Sequence, residues 1–97
     1  MPRGYVIGQI TVTNPEVYKT YVSMVLPTIE KFGGRFLVRG GAATCYEGTP
    51  PGSRNVIIEF PSVQNAHDWY NSKDYAAAKA LRMSASTSVQ TIVEGIE

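Results

Sequence analysis

The stretch KFGGRFLVRGG, residues 31–41, encloses a short alternating segment between two glycine pairs. The segment RFLVR predicts a β-strand, because its side chains alternate between two faces. One face carries Arg35, Leu37 and Arg39, and the other carries Phe36 and Val38. Gly33 of the first pair is placed to end a helix in the left-handed conformation, and the second pair permits a bulge or a positive φ. The glycines do not form a phosphate-binding loop, because no Lys-Ser or Lys-Thr follows a GxxxxG and the next element is a strand.

A helix is predicted before this stretch. Asn14 is a preferred N-cap residue, and Pro15 suits the first helical position, where a backbone N–H has no partner. The apolar residues that follow recur at offsets of three and four and form one stripe: Tyr18, Val22, Val25, Leu26, Ile29 and Phe32. Because proline removes a backbone hydrogen bond and crowds the preceding turn, we expect Pro27 to kink or break this helix.

Three other segments have strand patterns. Residues 5–12 place Val6, Ile10 and Val12 on one face and Tyr5, Ile7, Gln9 and Thr11 on the other. Residues 55–60 place Val56, Ile58 and Phe60 on one face and Ile57 and Glu59 on the other. Residues 87–95 alternate Val89, Thr91 and Val93 with Gln90, Ile92 and Glu94. The segment EGTPPGSR predicts a hairpin tip with Glu47 and Arg54 across it, and strand pairing is expected to resume through residues 45–47.

A second helical region follows the third strand. Ser62 can cap a helix with an apolar stripe, NSKD at residues 71–74 interrupts it, and Ser72 can cap a continuation. The stripe consists of Val63, Ala66, Trp69 and Tyr70, and the continuation carries Tyr75, Leu81 and Met83. The element order β-α-β-β-α-β is that of the ferredoxin-like α+β fold, an antiparallel sheet with both helices on one face.

The other face of this sheet is left without a cover. The side chains assigned to it include Tyr5, Ile7, Leu37, Ile57 and Ile92, interleaved with Gln9, Arg35, Arg39, Glu59 and Glu94. Such a surface is too apolar for water and too polar for a dry core. We therefore expect a homodimer in which two copies pack sheet to sheet into an α+β barrel.

Length, charge and cysteine content exclude several classes of protein. A chain of 97 residues predicts one domain, residues 1–97. Nine Lys and Arg against eight Asp and Glu give a net charge of +1, which does not favour nucleic acid. We expect no metal site and no membrane contact, because no Cys or His cluster and no long apolar run occurs. The single Cys45 indicates a reducing compartment and favours burial as a small hydrophobic residue. The N-terminus has only a short apolar run, so we expect a cytoplasmic location.

Arg39 and Glu59 are the charged candidates for a site. They share side-chain parity on neighbouring strands, so the sequence predicts that they lie opposite or diagonal to each other. Such a pair either sets the register and the dimer contact or forms the polar end of a ligand pocket.

The second helical region supplies the other candidates. His67 is the only histidine and the obvious proton-transfer residue, although a solvated surface histidine is the simpler interpretation. Trp69, Tyr70 and Tyr75 are candidates for lining a cleft for a planar ligand, although helical spacing alone also predicts that they pack in the core.

The residues GGRFLVRGG, then EG, then VIIEFPS, followed by a Trp-Tyr helix and a Ser-x-x-Tyr, resemble the bacterial family called domain of unknown function 1330. The resemblance spans nearly the whole chain. It implies membership of the dimeric α+β barrel superfamily, which includes cofactor-independent quinol monooxygenases, muconolactone isomerase-like enzymes and haem-degrading or haem-dependent relatives. The family itself has no settled reaction.

Two functions stay open at this point. The first is a cofactor-independent enzyme, monooxygenase-like or isomerase-like, in which Arg39 stabilises negative charge and a tyrosine or His67 moves protons on a small organic molecule. The second is a non-catalytic module that binds a small ligand. RNA binding is disfavoured by the charge and by the absence of stacking aromatics in the third strand, and haem binding has only one histidine in its support.

Overall fold

The computed structural model describes residues 1–97 and consists of a four-stranded antiparallel sheet with three helices packed on one face. The elements are β1 Gly4–Val12, α1 Pro15–Lys31, β2 Arg35–Arg39, β3 Arg54–Phe60, α2 Val63–Tyr70, α3 Lys73–Ala85 and β4 Ser86–Glu94. The strand order is β2-β3-β1-β4. This confirms the predicted α+β ferredoxin-like fold, with the second helical region divided into α2 and α3 at the NSKD segment. None of the three helices has the length and apolar character needed to cross a membrane.

The helices begin where the sequence predicts. The Asn14 side chain accepts a hydrogen bond from the Val17 backbone N–H (3.3 Å), which satisfies one free donor at the start of α1. Ser62 and Ser72 cap α2 and α3 in the same way, each at 3.1 Å. Gly33 ends α1 with a φ of 80°, a conformation that favours glycine.

α1 differs from the expectation in two respects. It continues through Pro27 without a break, and the residues two positions before and after the proline, Val25 and Ile29, are buried in the core. Burial of this face therefore outweighs the lost hydrogen bond. The buried stripe also includes Tyr21, whereas Leu26 is 37% exposed, so the prediction for Leu26 was wrong.

β2 contains a bulge that changes which face each arginine occupies. Arg35 pairs with Glu59, but the register shifts between Phe36 and Val38, and Arg39 then pairs with Val56. The extra residue is Leu37, and beyond it the side chains exchange faces. The predicted pairing of Arg39 with Glu59 is therefore wrong. A positive φ at Gly40 (72°) is confirmed, although the bulge itself lies three residues earlier.

The connection between β2 and β3 is an irregular loop. The strand pairing expected at residues 45–47 does not form, and Glu47 does not lie across a hairpin from Arg54. Cys45 is exposed rather than buried, with its Sγ 3.3 Å from the carbonyl oxygens of Glu47 and Gly48. The chain returns to the sheet at the buried Gly52, which lies directly against the backbone of Ile10.

β4 presents the two predicted sets of side chains, but on reversed sides of the sheet. Ile92 pairs with Val6 in register and therefore faces the helices, where it is half-buried. The open face instead receives Val89 and Val93, which are 47% and 42% exposed. Assigning Ile92 and Glu94 to the open face was wrong, because alternation defines two faces without saying which one meets the helices.

Candidate functional site

An aromatic cluster fills the space between the sheet and the helices. Trp69 is central, with its ring centroid 4.1 Å from that of Tyr75 and 5.5 Å from that of Phe60. Its indole N–H donates to the Thr28 hydroxyl (3.0 Å), which satisfies the one polar group of this buried side chain. Tyr21 extends the cluster with an edge-on contact to Tyr75. The cluster fixes the positions of several hydroxyl groups inside the protein.

Arg82 lies beside this cluster and is only 3% exposed. Its guanidinium donates to three hydroxyl groups: Nη1 to Ser88 (2.8 Å), Nε to Tyr75 (3.2 Å) and Nη2 to Tyr70 (3.3 Å). The ion pairs of the protein join Lys31 to Asp74, and Arg3 and Arg35 to Glu59, so Arg82 has no carboxylate partner. Buried cations are usually paired with an anion, because desolvation of an unpaired charge is costly.

The environment shifts the pKa of two groups at this site, Tyr21 and Arg82. Desolvation raises the pKa of Tyr21 well above its ordinary value, and the neighbouring Tyr75 raises it further. Desolvation acts to lower the pKa of Arg82, but the surrounding tyrosine hydroxyls outweigh it and the pKa is raised. The Tyr21 and Tyr75 hydroxyls are 3.1 Å apart and share a hydrogen bond. The site therefore combines one fixed positive charge with several hydroxyl groups, a set suited to binding an oxyanion.

A groove leads to Arg82 from the surface, between α2, α3 and the edge strand β4. It consists of two depressions of about 310 and 270 Å³ that share Tyr70 and Gln90. We call it the Tyr70 groove; its lining residues are Val6, His67, Tyr70, Arg82, Met83, Ser86, Ser88, Gln90 and Ile92. The Gln90 amide lies over Gly8, where a Cβ would be 2.9 Å from its oxygen. The volume is that of a small-molecule site.

A smaller cavity lies deeper, between the aromatic cluster and the sheet. Its free volume is about 20 Å³, enough for one water molecule. Gln90 borders both this cavity and the Tyr70 groove. The cavity extends across the sheet to Arg39 and Arg54 on the β2–β3 side. The two spaces therefore adjoin, although the inner one is too small for an organic molecule.

The residues predicted as a site are divided between two faces of the sheet. Trp69 and Tyr75 are core residues that also line the inner cavity, and Arg39 lies at its far end. Tyr70 and the exposed His67 line the Tyr70 groove. Glu59 is separate from all of them, on the open face.

On that open face, Glu59 is the centre of a polar cluster. Its carboxylate accepts hydrogen bonds from Arg35 Nε (2.9 Å) and the Tyr5 hydroxyl (3.1 Å), and Arg3 lies 3.9 Å away. The bond from Arg35 lowers the pKa of Glu59; desolvation opposes this, and the bond from Tyr5 supports it. Glu59 is therefore a charged structural contact rather than an acid or base near neutrality.

This lowered pKa predicts a pH dependence of stability. The folded protein binds the proton of Glu59 less readily than the unfolded chain does, so the stabilisation is complete above the unfolded carboxyl pKa of about 4.3 and is lost as pH falls through the lower folded value. We expect wild type and Glu59→Gln to differ in unfolding free energy at neutral pH and to converge below pH 4, measured by urea denaturation. A difference that stays constant with pH would contradict this assignment.

Sequence reasoning missed Arg82, Ser88 and Gln90. A signal for Arg82 was present, because it stands in helical phase with Tyr75, Ala78 and Ala85, all buried along one side of α3. An arginine in an apolar stripe indicates a buried charge. No comparable signal marked Ser88 and Gln90, whose alternation with valines is ordinary for an edge strand. No three His, Cys, Asp or Glu side chains converge anywhere in the structure.

Comparison with known families gives one match. The model of the family described as "Domain of unknown function (DUF1330)" matches residues 3–96 of the chain. No curated protein matches the chain.

Solved structures share the fold at low sequence identity. A protein of unknown function from Rhodopseudomonas palustris superposes with a TM-score of 0.80 at 17% identity, covering 99% of this chain and 84% of that one. Its methylated form gives 0.76 at 18% identity, with coverage of 99% and 82%. SnoaB, a cofactor-independent oxygenase from Streptomyces nogalater, gives 0.64 at 8% identity, with coverage of 100% and 96%. At these identities the likeness shows the fold alone.

Proposed function

The chain belongs to the family of domain of unknown function DUF1330, and from this premise we propose that it binds a small phenolic or enolisable molecule in the Tyr70 groove and stabilises its oxyanion at Arg82. The observation that carries the proposal is the buried guanidinium without a carboxylate partner. A ligand oxyanion would supply the missing negative charge. Arg82 thus takes the role that the sequence suggested for Arg39.

Proton transfer in this proposal uses His67. Cofactor-independent oxygenation and isomerisation both begin with loss of a proton from the substrate, and imidazole is the commonest proton acceptor in such steps. His67 lines the same groove as Tyr70 and Gln90. In the proposed step His67 accepts the proton while Arg82, Tyr70 and Ser88 stabilise the resulting negative charge. No cofactor is part of this proposal.

The shared fold with SnoaB supports an oxygenase-like reaction only as an analogy. The non-catalytic alternative also has a specific observation in its favour. No aspartate or glutamate lines the Tyr70 groove, so it offers no carboxylate as a proton acceptor. Binding of the ligand without turnover would then be the whole activity.

The proposal includes a homodimer, packed through the open sheet face. Ile7, Val89 and Val93 are 36%, 47% and 42% exposed there, and the polar cluster of Glu59 lies on the same face. Burial of apolar surface would drive the association. The Tyr70 groove lies on the helix side of the sheet and would stay open to solvent in such a dimer.

Hydroquinone is a suitable probe, because it is small, phenolic and readily oxidised. We expect saturable binding by calorimetry and oxygen uptake above the uncatalysed rate, and we expect His67→Gln to lower the uptake about a hundredfold with little change in binding. Lys73→Gln, an exposed change at the start of α3, is the control. Binding with no uptake would favour the non-catalytic alternative, and absence of binding would overturn the proposed site.

A further inference from the structure

Two arginines without acidic partners lie at the edge of the sheet away from the Tyr70 groove. Arg39 is at the end of β2 and Arg54 at the start of β3, and both line the inner cavity. Neither belongs to an ion pair. Like charges are brought together here although the protein as a whole carries a net charge of only +1. This arrangement is unfavourable by itself and is typical of a surface that binds an anion.

Arg54 has an unsatisfied donor. Its Nε is the one buried side-chain nitrogen or oxygen in the structure that lacks a hydrogen-bond partner. The guanidinium lies 5.4 Å from the centre of the Tyr18 ring, and on another side it lies against Gly40, where any side chain would overlap it. Contacts therefore hold the group in position while its Nε–H remains free. Buried donors of a charged group are seldom left unpaired in a native protein.

Arg39 is held beside it by two contacts. One nitrogen, Nη2, donates to the Val22 carbonyl of α1 (2.8 Å), and the guanidinium lies over the Phe36 ring with 4.3 Å between its carbon and the ring centre. These contacts exist because the bulge at Leu37 turns Arg39 toward the helices. One face of the guanidinium covers an aromatic ring, and the remaining N–H groups along its edge are free to donate.

We propose that Arg39 and Arg54 form a second binding site, for the carboxylate of a small organic acid. A guanidinium presents N–H donors in a planar fork that matches the two oxygens of a carboxylate. The adjoining free volume of about 20 Å³ admits one oxygen of the carboxylate but not a ring. The rest of the acid therefore lies outside, next to the exposed loop at residues 41–51. This site uses none of the residues proposed to bind the oxyanion in the Tyr70 groove.

Benzoate and its neutral amide, benzamide, test this proposal by calorimetric titration. We expect saturable binding of benzoate at millimolar concentration and none of benzamide. Arg39→Gln and Arg54→Gln should each weaken benzoate about tenfold or more, the loss expected for a charge-assisted contact. Arg35→Gln is the matched control, because it removes the same charge from the same strand but on the open face. It should leave the affinity unchanged.

Thermal unfolding of each variant separates loss of binding from loss of folding. A further variant, Arg54→Lys, keeps the positive charge but lacks the planar fork of N–H donors. A folded Arg54→Lys protein with weakened benzoate binding would support the carboxylate site. Equal binding of benzamide, unchanged affinity in Arg54→Gln or tighter binding of inorganic phosphate than of benzoate would each overturn it. Loss of benzoate binding in Arg82→Met but not in Arg39→Gln would place the benzoate in the Tyr70 groove and also overturn it.

Discussion

Arg82→Met is expected to weaken hydroquinone binding about a hundredfold while the protein remains as stable as wild type to within about 1 kcal/mol. Binding falls because the substitution removes the only arginine or lysine that lines the Tyr70 groove. Stability is retained because the desolvation of this charge offsets the three hydrogen bonds that it makes, and methionine fills a similar volume with neither contribution. The hydroxyls of Tyr70 and Ser88 can turn toward water in the groove.

Calorimetric titration and urea denaturation measure the two parts of this result. Arg82→Lys keeps the charge but cannot donate to three hydroxyls at once, so we expect its affinity to fall between those of wild type and Arg82→Met. Lys73→Met removes a positive charge from the exposed start of the same helix and serves as the control. If the Arg82→Met protein unfolds at a much lower urea concentration than wild type and binds hydroquinone with unchanged affinity, Arg82 is a structural residue. A buried charge that does not stabilise the fold is typical of a functional site.

Ile7→Lys is expected to convert a dimer into a monomer at micromolar concentration. Ile7 lies in the middle of β1, pairs with Ile57 in register and is 36% exposed on the open face. If two copies pack through this face, the substitution places an unpaired ammonium group from each copy in the interface. A buried unpaired charge costs about 3–5 kcal/mol. The dissociation constant of the dimer should therefore rise by about a hundredfold or more.

Sedimentation velocity distinguishes the two species. Leu26→Lys is the matched control, because Leu26 is 37% exposed but belongs to α1 on the opposite side of the sheet. It should remain dimeric. A wild-type protein that sediments as a monomer at micromolar concentration would refute the sheet-to-sheet dimer. A dimer that persists in Ile7→Lys would place the interface elsewhere.

The helices and strands of this fold can be predicted because local chemistry specifies them. Asn14, Ser62 and Ser72 each supply the side-chain oxygen that a helix start needs, and Gly33 tolerates the positive φ that ends α1. These requirements are satisfied within a few residues. Their positions can therefore be located without knowledge of the rest of the chain.

Pairing across strands was less predictable, because it depends on distant residues. The bulge at Leu37 has no distinctive residue of its own, and the glycines nearby suggested a later position. The partner of Glu59 is Arg35, four residues before the predicted Arg39, and the bulge then turns Arg39 to the helix side of the sheet. The assignment of Ile92 to the open face failed for a related reason, since only tertiary packing decides which side of β4 the helices cover.

The candidate site was the least predictable part. Trp69, Tyr70 and Tyr75 were identified because aromatic residues at helical spacing are conspicuous in a sequence. Arg82 was not, because an arginine is ordinarily a surface residue and only its phase on α3 indicated burial. Its three hydroxyl partners come from α2, α3 and β4, elements that meet only in the folded protein.

The bulge at Leu37 also bears on how relatives of this chain should be aligned. A homologue that keeps the two arginines four positions apart but lacks the bulge would point both of them to one side of the sheet. A sequence alignment that matches Arg39 with the second arginine of such a homologue would then equate two side chains that lie on different faces of the sheet. Whether a homologue shares the arginine that contacts α1 should therefore be judged from superposed backbones rather than from residue matches.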